Sequence, residues 1–312
     1  QPYFSASKIR WLLDYHQVQD KKNILCGTID SFLLWHFTKE KIHQTDITNA
    51  SRTSLFNLFE QQWDEELLNY FGIPRHILPA VKSNDANFGV LHESIIGKAL
   101  PIRAVLGDQQ AALIGVGAAS AQQMKITFGT GGFLMYNLGQ TPLLSHHGLL
   151  TTIAYQAKSE TYYAFEGSIY DAGFLVDWLK NSMGLIDDYG ESDKLSSSIE
   201  SNGGLYFIPS FSGLAAPHWT NHQGACVMGM TRSSTKAHMV RAVLESIVYQ
   251  TKDILEVMPK QAKQLLVDGG MIVNEWFTQY LADVSHLDIY IPEFKENTAR
   301  GVAMMLMYAC DE

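Results

Sequence analysis

Met124-Lys125-Ile126-Thr127-Phe128-Gly129-Thr130-Gly131-Gly132-Phe133-Leu134-Met135-Tyr136-Asn137 is the stretch on which the fold turns. Met124 to Phe128 and Phe133 to Asn137 read as two apolar strands, and the four small residues between them predict a Gly-rich hairpin. Small residues from Gly115 to Ser120 precede the first strand and mark the start of a second half of the chain. Upstream, Leu100 to Leu106 is apolar apart from Arg103, Gly107-Asp108 interrupts it, and good helix formers resume at Gln109, which predicts strand, turn and helix. Downstream, Glu166 to Lys180 and Thr235 to Val257 carry apolar residues at helical spacing, and Leu265 to Val267 predicts a short buried strand entering Asp268-Gly269-Gly270. A helix is expected from Asn274, and another from Ser7 to Tyr15. The polar, hydroxyl-rich run from Thr45 to Phe56 reads as a loop. Strands and helices interleave without repeats, so the expected class is α/β in two or more layers.

Composition limits the function classes. With 312 residues, 46% of them hydrophobic and 18% charged, the chain can bury a large core and is not a disordered segment. Its 32 acidic against 23 basic residues, a net charge of -9, would repel a nucleic-acid backbone in the absence of a basic stripe, and none is present. Cys26, Cys226 and Cys310 are far apart and odd in number, which points to a reducing compartment, with the cytoplasm as the expected location. No run approaches the ~18 apolar residues of a membrane span.

Three Gly-bearing strand ends are the candidates for chemistry: Gly107-Asp108, Gly129 to Gly132, and Asp268 to Gly270. Glycines let backbone N–H groups come close to phosphate oxygens, although a single such turn serves equally well as a tight bend needing positive φ. Asp108, after a strand, stands where open α/β sheets place ligand-contacting groups; it can accept a hydroxyl proton or cap the helix that follows, and the two roles are compatible. His218 and His222 have the i, i+4 spacing of a metal pair but no Glu or Cys joins them, so no metal ligand set is assigned. Neither Ser168 nor Ser212 lies in the elbow motif of the hydrolases, and both the P-loop and the G-x-G-x-x-G fingerprint are absent.

Along essentially its whole length the sequence resembles the FGGY carbohydrate kinases. Pro2-Tyr3-Phe4-Ser5-Ala6-Ser7-Lys8-Ile9-Arg10-Trp11 is similar to the first family signature, and Ala225 to Glu245, with Gly229, His238, Ala242 and Glu245, fits the second. Gly27 to Asp30, Thr45 to Phe56, Gly107 to Ala112 and Phe211 to Trp219 are closer to members acting on glycerol than to those acting on pentuloses. The resemblance implies an actin/hexokinase-like fold of two ribonuclease-H-like domains, with 1–115 the remainder of a polyol-side domain and 116–312 the nucleotide side. It implies ATP with Mg²⁺ as phosphoryl donor and glycerol as acceptor, and leaves homo-oligomerisation open.

By the same resemblance, Asp108 is the general base, Tyr3 and Gln109 hold polyol hydroxyls, and Phe133 packs on the carbon chain. Gly129 and Thr130 would lie on the phosphates, and Gly173, Gly270 and Asn274 would line the nucleotide site. Asp177 stands where the family commonly has Gln beside the adenine. The family's opening phosphate hairpin and its glycerol-binding Arg-Glu pair find no counterpart after Gln1, so the expectation is a truncated chain, inactive by itself. Glu93 to Leu100 would hold the loop that binds fructose 1,6-bisphosphate in some bacterial members, but without its Arg, so that regulation is expected to be weak or absent. Two rival readings are a kinase of the same family for another polyol or pentulose, and a non-catalytic actin-like module that binds sugar or nucleotide.

Overall fold

The computed structural model describes residues 4–17, 21–222, 224–260 and 262–310. The first part carries α1 (Ser5–Tyr15), α2 (Ile29–Phe37), β1 (Gln44–Asp46), α3 (Ile47–Ala50), β2 (Phe56–Asn57), β3 (Gln62–Trp63), α4 (Glu65–Phe71), β4 (Ala80–Lys82), β5 (Val90–Leu91), α5 (Glu93–Ile96), β6 (Leu100–Pro101) and α6 (Asp108–Gly115). The second begins with β7 (Met124–Phe128), β8 (Gly132–Gly139), β9 (Leu150–Ala157), β10 (Glu160–Ile169), α7 (Gly173–Asn181) and α8 (Tyr189–Ser197). It ends with β11 (Tyr206–Ile208), β12 (Cys226–Met228), α9 (Lys236–Val257), β13 (Gln264–Gly269), α10 (Glu275–Ser285), β14 (Asp288–Tyr290) and α11 (Asn297–Ala309).

The quoted hairpin is the centre of a six-stranded sheet ordered β14-β13-β7-β8-β10-β9. The β7–β8 pair is antiparallel, as a short Gly turn requires, while β13 runs parallel to β7 and β14 to β13. Because side chains alternate along a strand, Met124, Ile126 and Phe128 enter the main core with Leu175, Val243, Ile247 and Phe277 from the helices on that face. The opposite face carries Met135, Ala154, Ala164 and Leu266 against Leu113 and Val116 of the α6 segment. A third cluster, from Leu55, Trp63, Leu68 and Ile77, closes on Ile153 and Tyr163 of β9 and β10. The first part of the chain is therefore seated on the β9–β10 end of the sheet.

α11 lies directly on α6, and two glycines set the distance. A Cβ on Gly301 would stand 1.8 Å from the Ala111 carbonyl oxygen, and one on Gly115 would stand 1.9 Å from that of Asn297. Both obstacles are backbone, so neither can swing aside.

Three expectations need correction. Thr45 to Phe56 is not a loop: Gln44–Asp46 pairs in parallel with Ala80–Lys82, and a four-residue helix follows whose N-cap is Asp46. Of Leu100 to Leu106 only Leu100–Pro101 is a strand. Beyond it the backbone bonds singly to Phe88, Gly89 and Asn84, with no continuous ladder. The helical spacing read over Glu166 to Lys180 covers two elements, since Glu166 to Ile169 completes β10 and the helix begins at Gly173. Glu166 is paired with Met135 on one side and Leu150 on the other, and these ladder bonds override a local helical pattern.

Candidate active site

One cavity of about 270 Å³ opens at the ends of β7 and β13. Its wall includes all six residues singled out for the nucleotide, namely Gly129, Thr130, Gly173, Asp177, Gly270 and Asn274. The hairpin and α7 are locked together: the Gly173 N–H donates to the Gly129 carbonyl at 2.9 Å, and the Ala172 and Phe174 N–H groups donate to that of Thr130. A Cβ on Gly173 would lie 2.5 Å from the Gly129 oxygen, so the close approach requires glycine. At the other strand end, Gly269 has φ +100° and would bring a Cβ to 2.3 Å from the Phe128 oxygen. Its neighbour Gly270 differs, because a Cβ there would meet nothing within 4 Å. Gly270 thus leaves room that no packing demands.

Two wall residues already have polar partners. Asn274 is buried and caps α10 by accepting from the Phe277 N–H at 2.8 Å, while its amide donates to Ser192 at 3.0 Å. Asp177 accepts from the Tyr189 hydroxyl at 2.7 Å, which holds that phenol's pKa above its ordinary value. Sequence reasoning missed Tyr189, Ser192, Val176 and Met271 of the same wall; Tyr189 and Ser192 come from a segment it did not read, and Val176 and Met271 are apolar neighbours of residues it named.

Asp108 is exposed and is the first helical residue of α6; its carboxylate accepts from the Gln109 N–H at 2.8 Å. It lines a separate, more apolar hollow of about 790 Å³ with Asn49, Leu106 and Gly107. The corrected Thr45 to Phe56 segment supports this helix start. The Gly107 N–H donates to the Thr48 hydroxyl at 2.8 Å, and that hydroxyl donates to Asp46. Asn84 donates to Asp46 at 2.7 Å and to the Val105 carbonyl at 2.8 Å, which ties the segment entering Gly107 to the same carboxylate. Phe133 stands on β8 between Thr127 of β7 and Ser168 of β10, all three on one face of the sheet. Tyr3 lies outside the described residues. His218 bonds to Asp253 at 2.9 Å rather than to His222, and among the described residues no group of three His, Cys, Asp or Glu side chains is arranged to hold a metal.

Asp46 is fully buried, and desolvation, then the nearby Asp30 charge, push its pKa up to about 7 against the pull of bonds from Thr48 and Asn49. The folded chain therefore holds a proton that an unfolded Asp releases near pH 3.8. This group's contribution is fully present below that pH and is lost as pH rises towards about 7. We expect the unfolding free energy from urea titrations to fall from pH 4.5 to pH 7, and Asp46→Asn to flatten that fall by roughly 1 kcal/mol per pH unit. An unchanged slope in the variant would place the titrating group elsewhere.

Comparison with known proteins bears on the same site. Residues 1–115 match the model for the N-terminal domain of the FGGY family of carbohydrate kinases, and residues 124–310 match that for its C-terminal domain. A glycerol kinase of Gluconobacter oxydans is 44% identical over 312 residues, covering 97% of this chain and 61% of its own length. Glycerol kinase 1 of Pseudomonas aeruginosa is 44% identical over 311 residues, covering 97% of this chain and 63% of its own. The chain thus spans somewhat over three-fifths of the curated relatives it matches. The crystal structure of Plasmodium falciparum glycerol kinase with ADP superposes with TM-score 0.88 at 36% identity, over 100% of this chain and 64% of that one. A xylulose kinase of Lactobacillus acidophilus shares the fold, with TM-score 0.86 at 20% identity, over 100% of this chain and 64% of its own.

Proposed function

Since the chain belongs to the FGGY family of carbohydrate kinases, we propose that the protein carrying it transfers the γ-phosphate of ATP to a hydroxyl of glycerol. The observation that carries this reading is the convergence of Gly129-Thr130, Gly173 and Gly270, from three separate elements, on one cavity. At Gly129 and Gly270 an added Cβ would meet no atom nearer than 3.9 Å, so these glycines leave open space for a nucleotide without being needed for packing. Domain 1–115 would supply the polyol side and 116–312 the nucleotide side.

In this reading the Asp108 carboxylate accepts the proton as a glycerol oxygen attacks the γ-phosphorus, the bond from that phosphorus to the bridging oxygen breaks, and ADP leaves. Gln109 orients the polyol, with Tyr3, and Phe133 offers its ring to the carbon chain. Asp177 and Asn274, held by Tyr189 and Ser192, shape the nucleotide wall. Mg²⁺, when bound, would neutralise phosphate charge; among the described residues no group of three His, Cys, Asp or Glu side chains is arranged to hold it. The 36% identity to the structurally matched glycerol kinase, against 20% and 18% to two structurally matched xylulose kinases, supports glycerol as acceptor.

The test is ADP release from Mg²⁺-ATP by the protein that carries this chain, with glycerol, a pentulose and a hexose as acceptors. Turnover with glycerol and neither alternative is expected. Turnover with the pentulose but not glycerol would overturn the acceptor, and turnover with none of the three would overturn the kinase reading.

A further inference from the structure

β7 carries a lysine in its interior. Lys125 is fully buried, paired across the sheet with Met135 and Leu266, and it lies on the face turned to α6. A buried ammonium is costly unless it is bonded and its charge is answered. Both conditions are met: Nζ donates to Gln109 Oε1 at 2.6 Å and to Thr127 Oγ1 at 2.7 Å. Asp268, Asp108 and Glu166 are the acids facing it, the last in an ion pair with Arg52. Gln109 belongs to the helix that starts with Asp108, and Thr127 is two residues before Gly129. Lys125 thus spans the two halves of the candidate site through one side chain.

The bond also settles how Gln109 is turned. An ammonium has three donors and no acceptor, so the group facing it must be the carboxamide oxygen, and the Gln109 NH₂ points away. An acceptor hydroxyl oxygen would meet that NH₂ while its own proton stays free for the carboxylate next door. We propose that Lys125 is a positioning residue that holds Gln109 with its NH₂ towards the acceptor hydroxyl and ties this orientation to the strand leading into Gly129-Thr130. This rests on the polyol role given to Gln109 above. It accounts for a lysine where burial lowers the ammonium pKa to about 8, against the opposing pull of Asp268, then Asp108 and Glu166. A leucine or methionine would pack on that face at no such cost.

The experiment compares wild type, Lys125→Met, Gln109→Leu and the double variant in the glycerol-dependent assay. Loss of a hydrogen bond to a charged group predicts a glycerol KM raised roughly tenfold to a hundredfold in Lys125→Met, with the ATP KM within about twofold of wild type. In the Gln109→Leu background the same change should add about twofold or less, since its target is already gone. Equal losses for both substrates, or full additivity in the double variant, would overturn the proposal. A wild-type measurement covers the case of a variant that does not fold: the Gln109 carboxamide resonances should titrate with a midpoint near pH 8 as Lys125 loses its charge. Gln109 resonances that stay fixed while the Lys125 side-chain resonances themselves titrate would overturn it. If wild type turns over no glycerol, the acceptor reading fails, and the carboxamide titration still decides whether Lys125 holds Gln109.

Discussion

Asp108→Asn is expected to lower kcat with glycerol by roughly a hundredfold to ten-thousandfold, the range that a positioned general base contributes. The substitution keeps the shape of the side chain and an oxygen that can accept from the Gln109 N–H, now bonded at 2.8 Å. What it removes is the capacity to take a proton. Asp108 is exposed at the first turn of α6, and Gly107 before it is held independently by Thr48, so thermal stability should stay within about 0.5 kcal/mol of wild type. Steady-state kinetics and a thermal melt on the same preparation separate the two effects. Residual kcat above about a tenth of wild type would remove Asp108 from the role of base. A large loss of stability together with activity would make it a structural residue.

Gly301→Val should have the largest effect on the fold. Any Cβ at this position would start 1.8 Å from the Ala111 carbonyl oxygen, with the Ala111 carbonyl carbon at 2.6 Å and the Gly115 nitrogen at 3.0 Å. All three are backbone atoms of the α6 helix, so the helices must separate and leave the contact unpacked. Overpacking of this kind costs about 3 kcal/mol, which for a chain of this size lowers the thermal midpoint by roughly 5 °C. Gly270→Ala is the control for stability: its Cβ would meet nothing within 4 Å, and the melt should stay within about 2 °C of wild type. The contrast separates a glycine required by packing from one that leaves room for a ligand. Destabilisation by Gly270→Ala comparable to that by Gly301→Val would mean that packing requires Gly270 as well. A Gly301→Val protein with an unchanged melt would mean that the helices can part without penalty.

These two helices are also the clearest example of what local reading could not supply. Helical spacing and Gly punctuation were enough for the β7–β8 hairpin, for the strand into Gly269-Gly270 and for the helix after Asn274, because turn chemistry and strand alternation act over a few residues. The hydroxyl-rich run at Thr45 to Phe56 was misread as a loop because its order comes from partners far along the chain. Asp46 accepts from Asn84, Thr45 donates to Asp30, and Thr48 accepts from the Gly107 N–H. A four-residue helix held in this way has no periodicity to detect.

The sequence by itself determined the α/β class and the Gly-bearing strand ends, and the family resemblance offered candidate residues for the base, the polyol and the nucleotide. Tertiary structure alone decided that Gly129, Gly173 and Gly270 share one cavity, that Gly301 and Gly115 let two helices touch backbone to backbone, and that Lys125 is buried between Gln109 and Thr127. The physical reason is range. Propensity and turn geometry are properties of neighbours in the chain, whereas the burial of a charge and the direction of a carboxamide depend on groups that meet only when the sheet and α6 have closed on each other.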